Sequence, residues 1–146
     1  MAAVGLYLLS SCAYTIVRPD LLWNPIDREI KLASSYPVNL VPQNFVVGEQ
    51  RAVAEKRLTD DGYTLANTIN ALNPPGGAPY YQNDDIRRAL SDLSSAPKIS
   101  TPGKTAVYWK DGPSIFPCGS TYDVYIGVSP DDLLQFVQAT VSDVCL

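Results

Sequence analysis

Four prolines lie between residues 18 and 42 of this 146-residue chain, at positions 19, 25, 37 and 42. Each proline removes a backbone hydrogen-bond donor and pushes the preceding residue toward extended geometry. Residues 18–42 therefore predict an extended, proline-rich arm, with at most a short helical turn at residues 27–29. Its apolar side chains, Trp23 among them, are expected to dock on a surface of the chain's own domain or of a neighbouring subunit.

Residues 43–146 predict one compact domain. A chain of 146 residues with 46% hydrophobic side chains is long enough for one core and too short for two ordinary domains. Residues 49–58 are rich in strong helix formers and predict a helix, which Asp60-Asp61-Gly62 should interrupt. Residues 63–72 carry apolar side chains at helical spacing, and we expect a further helix there.

Proline and glycine dominate residues 73–79, NPPGGAP, and predict a loop. Tyr80 and Tyr81 follow it directly. They are candidates for partner binding if their rings face solvent, whereas folded back onto the domain they would belong to its core, which is the commoner situation for tyrosine. Asn83 is a good helix cap, and the apolar spacing after it predicts a helix to about residue 93.

The last third of the chain predicts a strand pair followed by a helix. Residues 105–109 suit a strand, and residues 110–113, KDGP, suit its turn. Residues 122–128 alternate between apolar and other side chains, which predicts a half-buried strand antiparallel to the first. Ser129 and Pro130 suit the start of a helix, and its apolar stripe would comprise Leu133, Phe136, Val137, Val141 and Val144.

The predicted fold is therefore α+β: a small single domain with about three helices and a short antiparallel sheet, preceded by the extended arm. Composition also excludes several classes of function. The net charge of −4 and the scattered basic residues argue against a nucleic-acid partner. The chain has no histidine, which removes the usual general base and the commonest metal ligand. We expect no catalytic residue, metal, cofactor or small-molecule substrate.

Residues 1–17 contain no charged side chain and form an apolar segment that suits a signal or an anchor. Within it, Leu9-Ser10-Ser11-Cys12 resembles the lipobox of bacterial lipoproteins, in which an apolar residue and two small ones precede a cysteine. The resemblance implies that Cys12 is lipidated and tethers the protein to a membrane, facing the periplasm or the exterior. Two alternatives remain: a transmembrane anchor, and a pair of buried strands at residues 6–9 and 14–17.

Three cysteines fit the lipoprotein interpretation, because lipid on Cys12 leaves Cys118 and Cys145 as one even pair. In an oxidising compartment these two could form a disulfide. The alternative is that both are buried free thiols, since cysteine packs as a small hydrophobic residue. No spacing typical of a redox motif or a zinc site occurs.

Two functional hypotheses follow. The first is a non-catalytic envelope lipoprotein that serves as an adaptor or structural component, with protein partners and a lipid tether on Cys12. The second is a structural subunit of a large particle, such as a phage head-to-tail or tail component. In that case the apolar N-terminus would be buried between subunits.

Overall fold

The computed structural model of the protein describes residues 24–33, 36–41, 43–66, 80–89, 91, 99, 101–115 and 118–145. Within these ranges lie three α-helices, α1 Pro25–Leu32, α2 Arg51–Asp60 and α3 Asn83–Ala89. The strands are β1 Val38–Asn39, β2 Thr64–Leu65, β3 Tyr81–Gln82, β4 Lys104–Ile115, β5 Cys118–Val128 and β6 Leu134–Cys145. The predicted α+β class is confirmed, and the sheet is the larger part.

The strands form a single antiparallel sheet in the order β1-β6-β5-β4-β2, and β3 pairs with the same edge of β4 as β2 does. Its framework is the meander of β4, β5 and β6. β5 pairs with β4 from Lys104↔Val128 to Ile115↔Cys118, and with β6 from Cys118↔Cys145 to Val128↔Leu134. Because successive side chains along a strand point to opposite sides, this meander presents two faces that must each be covered or solvated.

The two faces of the sheet carry separate hydrophobic clusters. The α1/α2 face, covered by those two helices, holds the larger cluster, which includes Ile26, Ile30, Leu58, Tyr122, Val124, Ile126 and Val137. The α3 face holds a smaller cluster of Tyr81, Ile86, Ile99, Val107 and Tyr125, with Phe136 packed against it. A side-chain carbon added at Gly127 would collide with the ring of Phe136, so glycine is required where this ring crosses β5.

The sequence predicts an extended arm at residues 18–42, but the described part of this segment belongs to the folded core. Asn24 caps α1 by accepting a hydrogen bond from the backbone N–H of Asp27 at 2.8 Å, and Pro25 occupies the first turn, where its missing donor costs nothing. Ile26 and Ile30, four residues apart, are 1% and 0% exposed. Proline breaks the interior of a helix, but in the first turn, as Pro25 shows, it is compatible with the start of one.

β1 also lies before residue 43, the predicted start of the compact domain. Its residues Val38 and Asn39 pair with Ala139 and Gln138 of β6, and Leu40 is fully buried. The folded unit therefore includes the chain from residue 24, apart from the positions that the structure does not describe.

The predicted C-terminal helix is wrong, since this segment is strand β6. Val137, Ala139 and Val141 pack in the α1/α2 cluster, and the side chains between them face the other way. The Ser129-Pro130 signal belongs to the turn between β5 and β6. There Ser129 Oγ accepts a hydrogen bond from the Leu133 N–H at 3.2 Å. Serine caps turns and helices by the same local hydrogen bond, so the signal could not distinguish them.

Two further predictions need correction. Residues 110–113 are not a turn, because β4 continues through them to Ile115, with a register shift between Asp111 and Ser114. The glycine and proline there accompany a β-bulge. The helix predicted at residues 63–72 is also wrong at its start, where Thr64 and Leu65 form β2. Residues 67–72 of that helix, and the loop predicted at residues 73–79, lie outside the described residues.

Three local predictions are confirmed. α2 covers the helix predicted at residues 49–58, shifted by two residues, and ends at the interruption expected at Asp60-Asp61-Gly62. Gly62 has a φ of 86°, a left-handed conformation that favours glycine. α3 begins at Asn83, and the predicted strand at residues 122–128 lies within β5.

Replacing Ile30 with alanine tests whether α1 belongs to the core. Because Ile30 is fully buried, we expect Ile30→Ala to lower the free energy of unfolding by roughly 2–5 kcal/mol. Urea denaturation monitored by circular dichroism measures this loss. Leu32→Ala is the matched control, since Leu32 is in the same helix and 64% exposed, and it should cost no more than about 0.5 kcal/mol. Equal effects of the two variants would contradict the docking of α1.

Candidate functional site

The predicted site residues fall in different parts of the structure. Cys12 and Trp23 lie outside the described residues, so their roles stay predictions. Cys118, the first residue of β5, is disulfide-bonded. Cys145 pairs with it across the β5–β6 ladder. Directly opposite residues of an antiparallel pair are close enough for a disulfide between them.

The two tyrosines predicted for partner binding are both packed against the domain. Tyr81 is only 4% exposed and belongs to the hydrophobic cluster on the α3 face. Tyr80 is half-buried against the α1/α2 cluster, and its hydroxyl donates a hydrogen bond to Glu55 Oε1 on α2. The guanidinium of Arg51 lies 4.9 Å from the centre of its ring. The packed alternative therefore describes these rings.

One polar cluster joins α1 to β4. The Lys110 ammonium contacts Asp27 Oδ2 at 2.6 Å, and the Tyr63 hydroxyl donates to Asp27 Oδ1 at 2.7 Å. Lys110 also donates to the backbone carbonyl of Asp61 at 3.0 Å. Burial and the hydrogen bond to Asp27 raise the pKa of Tyr63 far above its usual value, so this hydroxyl keeps its proton. All three side chains satisfy one another within the fold.

A second polar cluster joins α2 to β4. Tyr108 of β4 is hydrogen-bonded to Glu55, as is Tyr80. Burial, with the charge of Glu55 next in importance, raises the pKa of Tyr108 to about 12. Arg51, which lies over the Tyr80 ring, also approaches Asp132 to 3.6 Å. Glu55 is thus an acceptor between two neutral tyrosines, an arrangement that holds a helix in place and leaves no unpaired nucleophile.

The α3 face carries a different arrangement, which we name the Trp109–Asp123 row. Trp109 of β4 pairs with Asp123 of β5, and Asp123 pairs with Thr140 of β6. Thr64 of β2 lies on the other side of Trp109. Directly paired residues project to the same face, so an indole, a carboxylate and two hydroxyls form a line across four strands. Trp109 is 38% exposed and Asp123 is half-buried.

The carboxylate of Asp123 has fewer hydrogen-bond and ion-pair partners than the enclosed carboxylates of Asp27 and Glu55. Its one hydrogen bond to a side chain comes from Ser142 Oγ at 3.5 Å, which is long for a hydrogen bond between two oxygen atoms. None of the ion pairs between described residues includes it. Burial raises the pKa of Asp123, and the contact with Ser142 opposes this shift. A carboxylate that loses hydration without gaining a cation is a candidate for binding or catalysis.

The comparisons with known proteins add no further assignment, since no protein family, curated protein or solved structure matches this chain. None of the helices among the described residues is both long and apolar enough to cross a membrane. In the same residues, no group of three or more histidine, cysteine, aspartate or glutamate side chains is placed to hold a metal ion. The site must be interpreted from its own geometry.

Sequence reasoning did not identify Trp109 or Asp123 as site residues. It interpreted residues 105–109 and 122–128 only as strands, although the alternation of β5 already placed Asp123 on the side opposite Tyr122 and Val124. Which side chain stands beside Asp123 depends on the register between β4 and β5. That register is set by the strand pairing and the bulge after Asp111. No pattern within either strand could therefore predict that Trp109 lies beside Asp123.

The Lys110–Asp27 contact can be tested against a surface ion pair of the same chain. Lys110 and Asp27 are 25% and 12% exposed, so Lys110→Met leaves an enclosed carboxylate without its cation. We expect a loss of about 2–4 kcal/mol in the free energy of unfolding. Lys56→Met is the control, because the Lys56–Asp60 pair is 73% and 60% exposed and should contribute less than about 0.5 kcal/mol. If urea denaturation shows comparable losses of unfolding free energy for the two variants, Lys110 does not hold α1 against β4.

The pKa of Asp123 predicts a pH-dependent effect of its replacement. Because burial raises this pKa in the folded state, folded protein holds the proton more tightly than unfolded protein. Stability therefore falls as pH rises from the ordinary aspartate value near 4 through the folded pKa. We expect Asp123→Asn to unfold at a higher temperature than the natural chain at pH 7. The difference should vanish below about pH 4, where Asp123 is protonated.

Thermal melts between pH 3 and pH 8 measure this effect. Asp131→Asn removes the same charge from an exposed position in the turn between β5 and β6, and should change the melting temperature little at any pH. An Asp123→Asn chain that is less stable than the natural one at pH 7 would show that Asp123 has a stabilising partner.

Proposed function

We propose that this protein is a non-catalytic envelope lipoprotein that acts as an adaptor or structural component of an envelope assembly. The observation that carries the proposal is the disulfide at Cys118. Disulfides persist in secreted proteins, the periplasm and the cell exterior, whereas reducing systems keep cytosolic thiols free. A disulfide in the folded domain therefore agrees with the compartment that the lipobox-like segment implies.

Cys145 is the partner that we assign to Cys118, because the strand register places the two backbones opposite each other. The chain has three cysteines, so this pairing leaves Cys12 available for acylation. This assignment accounts for all three cysteines: Cys12 is lipidated, and the other two form a disulfide that joins an end of β5 to an end of β6.

The folded domain supports a binding role for the part beyond the tether. On the α1/α2 face, Asp27 and Glu55 are engaged by tyrosine and lysine side chains that fix the helices. The long meander provides a rigid framework, and the Trp109–Asp123 row gives it a surface with an accessible indole. These features suit an adaptor that holds a protein partner near a membrane and carries out no reaction.

The test is Cys12→Ser in the native host, followed by membrane fractionation and intact-mass measurement. We expect the natural protein to start at Cys12, carry added acyl mass and sediment with membranes, and Cys12→Ser to lose the acyl mass and leave the membrane fraction. Ser11→Ala is the matched control, because alanine keeps a small residue next to the cysteine and should preserve tethering. Without reductant, Cys118 and Cys145 should be unreactive toward a maleimide.

Unchanged fractionation of Cys12→Ser would contradict the tether. An unmodified chain that retains residues 1–11 and co-purifies with large particles would favour the particle-subunit alternative.

A further inference from the structure

We propose that the Trp109–Asp123 row binds an arginine side chain of a partner protein, with the guanidinium against the indole and paired with the carboxylate. This inference names the kind of partner for the adaptor role proposed above and rests on that role. The binding site itself lies in the folded domain, so it can be tested without the lipid tether.

The geometry brings two complementary groups together. Trp109 and Asp123 are directly opposite each other on adjacent central strands, and such side chains lie about 5 Å apart at their first carbons. The indole is 38% exposed. A planar cation can therefore lie on this ring while its edge reaches the neighbouring carboxylate. Arginine suits both contacts, since guanidinium stacks on aromatic rings and pairs with carboxylates through two parallel hydrogen bonds.

The charge of the site favours a cation over a neutral ligand. Asp123 has one long hydrogen bond, from Ser142, and no ion pair with a described residue. By contrast, Asp27 has both a tyrosine and a lysine. A guanidinium would supply to Asp123 the missing counter-charge and two donors. The net charge of −4 also favours approach of a basic partner.

The surroundings of the row leave room for further contacts. Thr64 and Ser142 are exposed at its two sides. Next along the same face, Tyr125 and Val107 belong to the hydrophobic cluster that α3 covers. The Trp109–Asp123 row is therefore the solvent-accessible border of a covered surface. An aromatic and a charge at such a border suit a specific anchor for one side chain.

The probe is a capped tetra-arginine peptide, titrated into the full chain carrying Cys12→Ser, with the indole N–H of Trp109 followed by NMR. We expect saturable shifts of this signal and a fall in the pKa of Asp123, measured from its carboxyl carbon. A tetra-citrulline peptide, which has the same shape without the charge, should leave both unchanged. Binding should weaken by about tenfold or more in Asp123→Asn, followed through the Trp109 signal, and in Trp109→Ala, followed through the carboxyl carbon of Asp123.

Asp131→Asn is the matched control, because it removes one negative charge from an exposed turn, and it should weaken binding less than about twofold. Equal weakening by Asp123→Asn and Asp131→Asn would show unspecific attraction and overturn the proposal. Absence of any shift of Trp109 at millimolar peptide would overturn it too. None of these outcomes depends on whether Cys12 is lipidated.

Discussion

The structure depends on the complete pairing of β5, which is bonded to β4 on one side and to β6 on the other over its whole length. A central strand with no free edge fixes which side chains of its neighbours face each direction, because a shift of one residue would turn every side chain to the other face. The helices then have defined surfaces to cover. Tyr122, Val124 and Ile126 face α1 and α2, and Tyr125 faces α3.

On the α1/α2 face, β4 also determines where the helices attach. Tyr108 and Lys110 are two residues apart and point to the same side, and each meets a carboxylate from a different helix. Glu55 of α2 bonds to Tyr108, and Asp27 of α1 pairs with Lys110. Hydrophobic burial alone permits small rotations of a helix on a sheet, whereas polar contacts of defined geometry select one orientation. These two polar contacts therefore orient the helices, while the apolar core holds them against the sheet.

How much of this could be predicted from the sequence depended on whether each signal was local. α2, α3 and β5 were predicted because helix formers, a cap and a strict alternation each identify one structure. β6 was missed because Val137, Val141 and Val144 follow helical spacing, and because Ser129 suits the start of a turn as well as that of a helix. The preference of β-branched residues for strands was the better guide. α1 was missed because Pro25 was interpreted as a breaker instead of a first-turn residue.

The site residues were harder to predict, because a site on a sheet is made by register between strands that are distant in sequence. The proposed Cys118–Cys145 bond would join the ends of the two strands that carry Asp123, Thr140 and Ser142. From that bond, the ladder runs through Thr121↔Ser142 to Asp123↔Thr140. Fixing the strand ends limits fraying near the carboxylate, and a preorganised site loses less entropy when it binds. A disulfide, a carboxylate without a cation and an exposed indole on one meander thus suit the recognition surface proposed above.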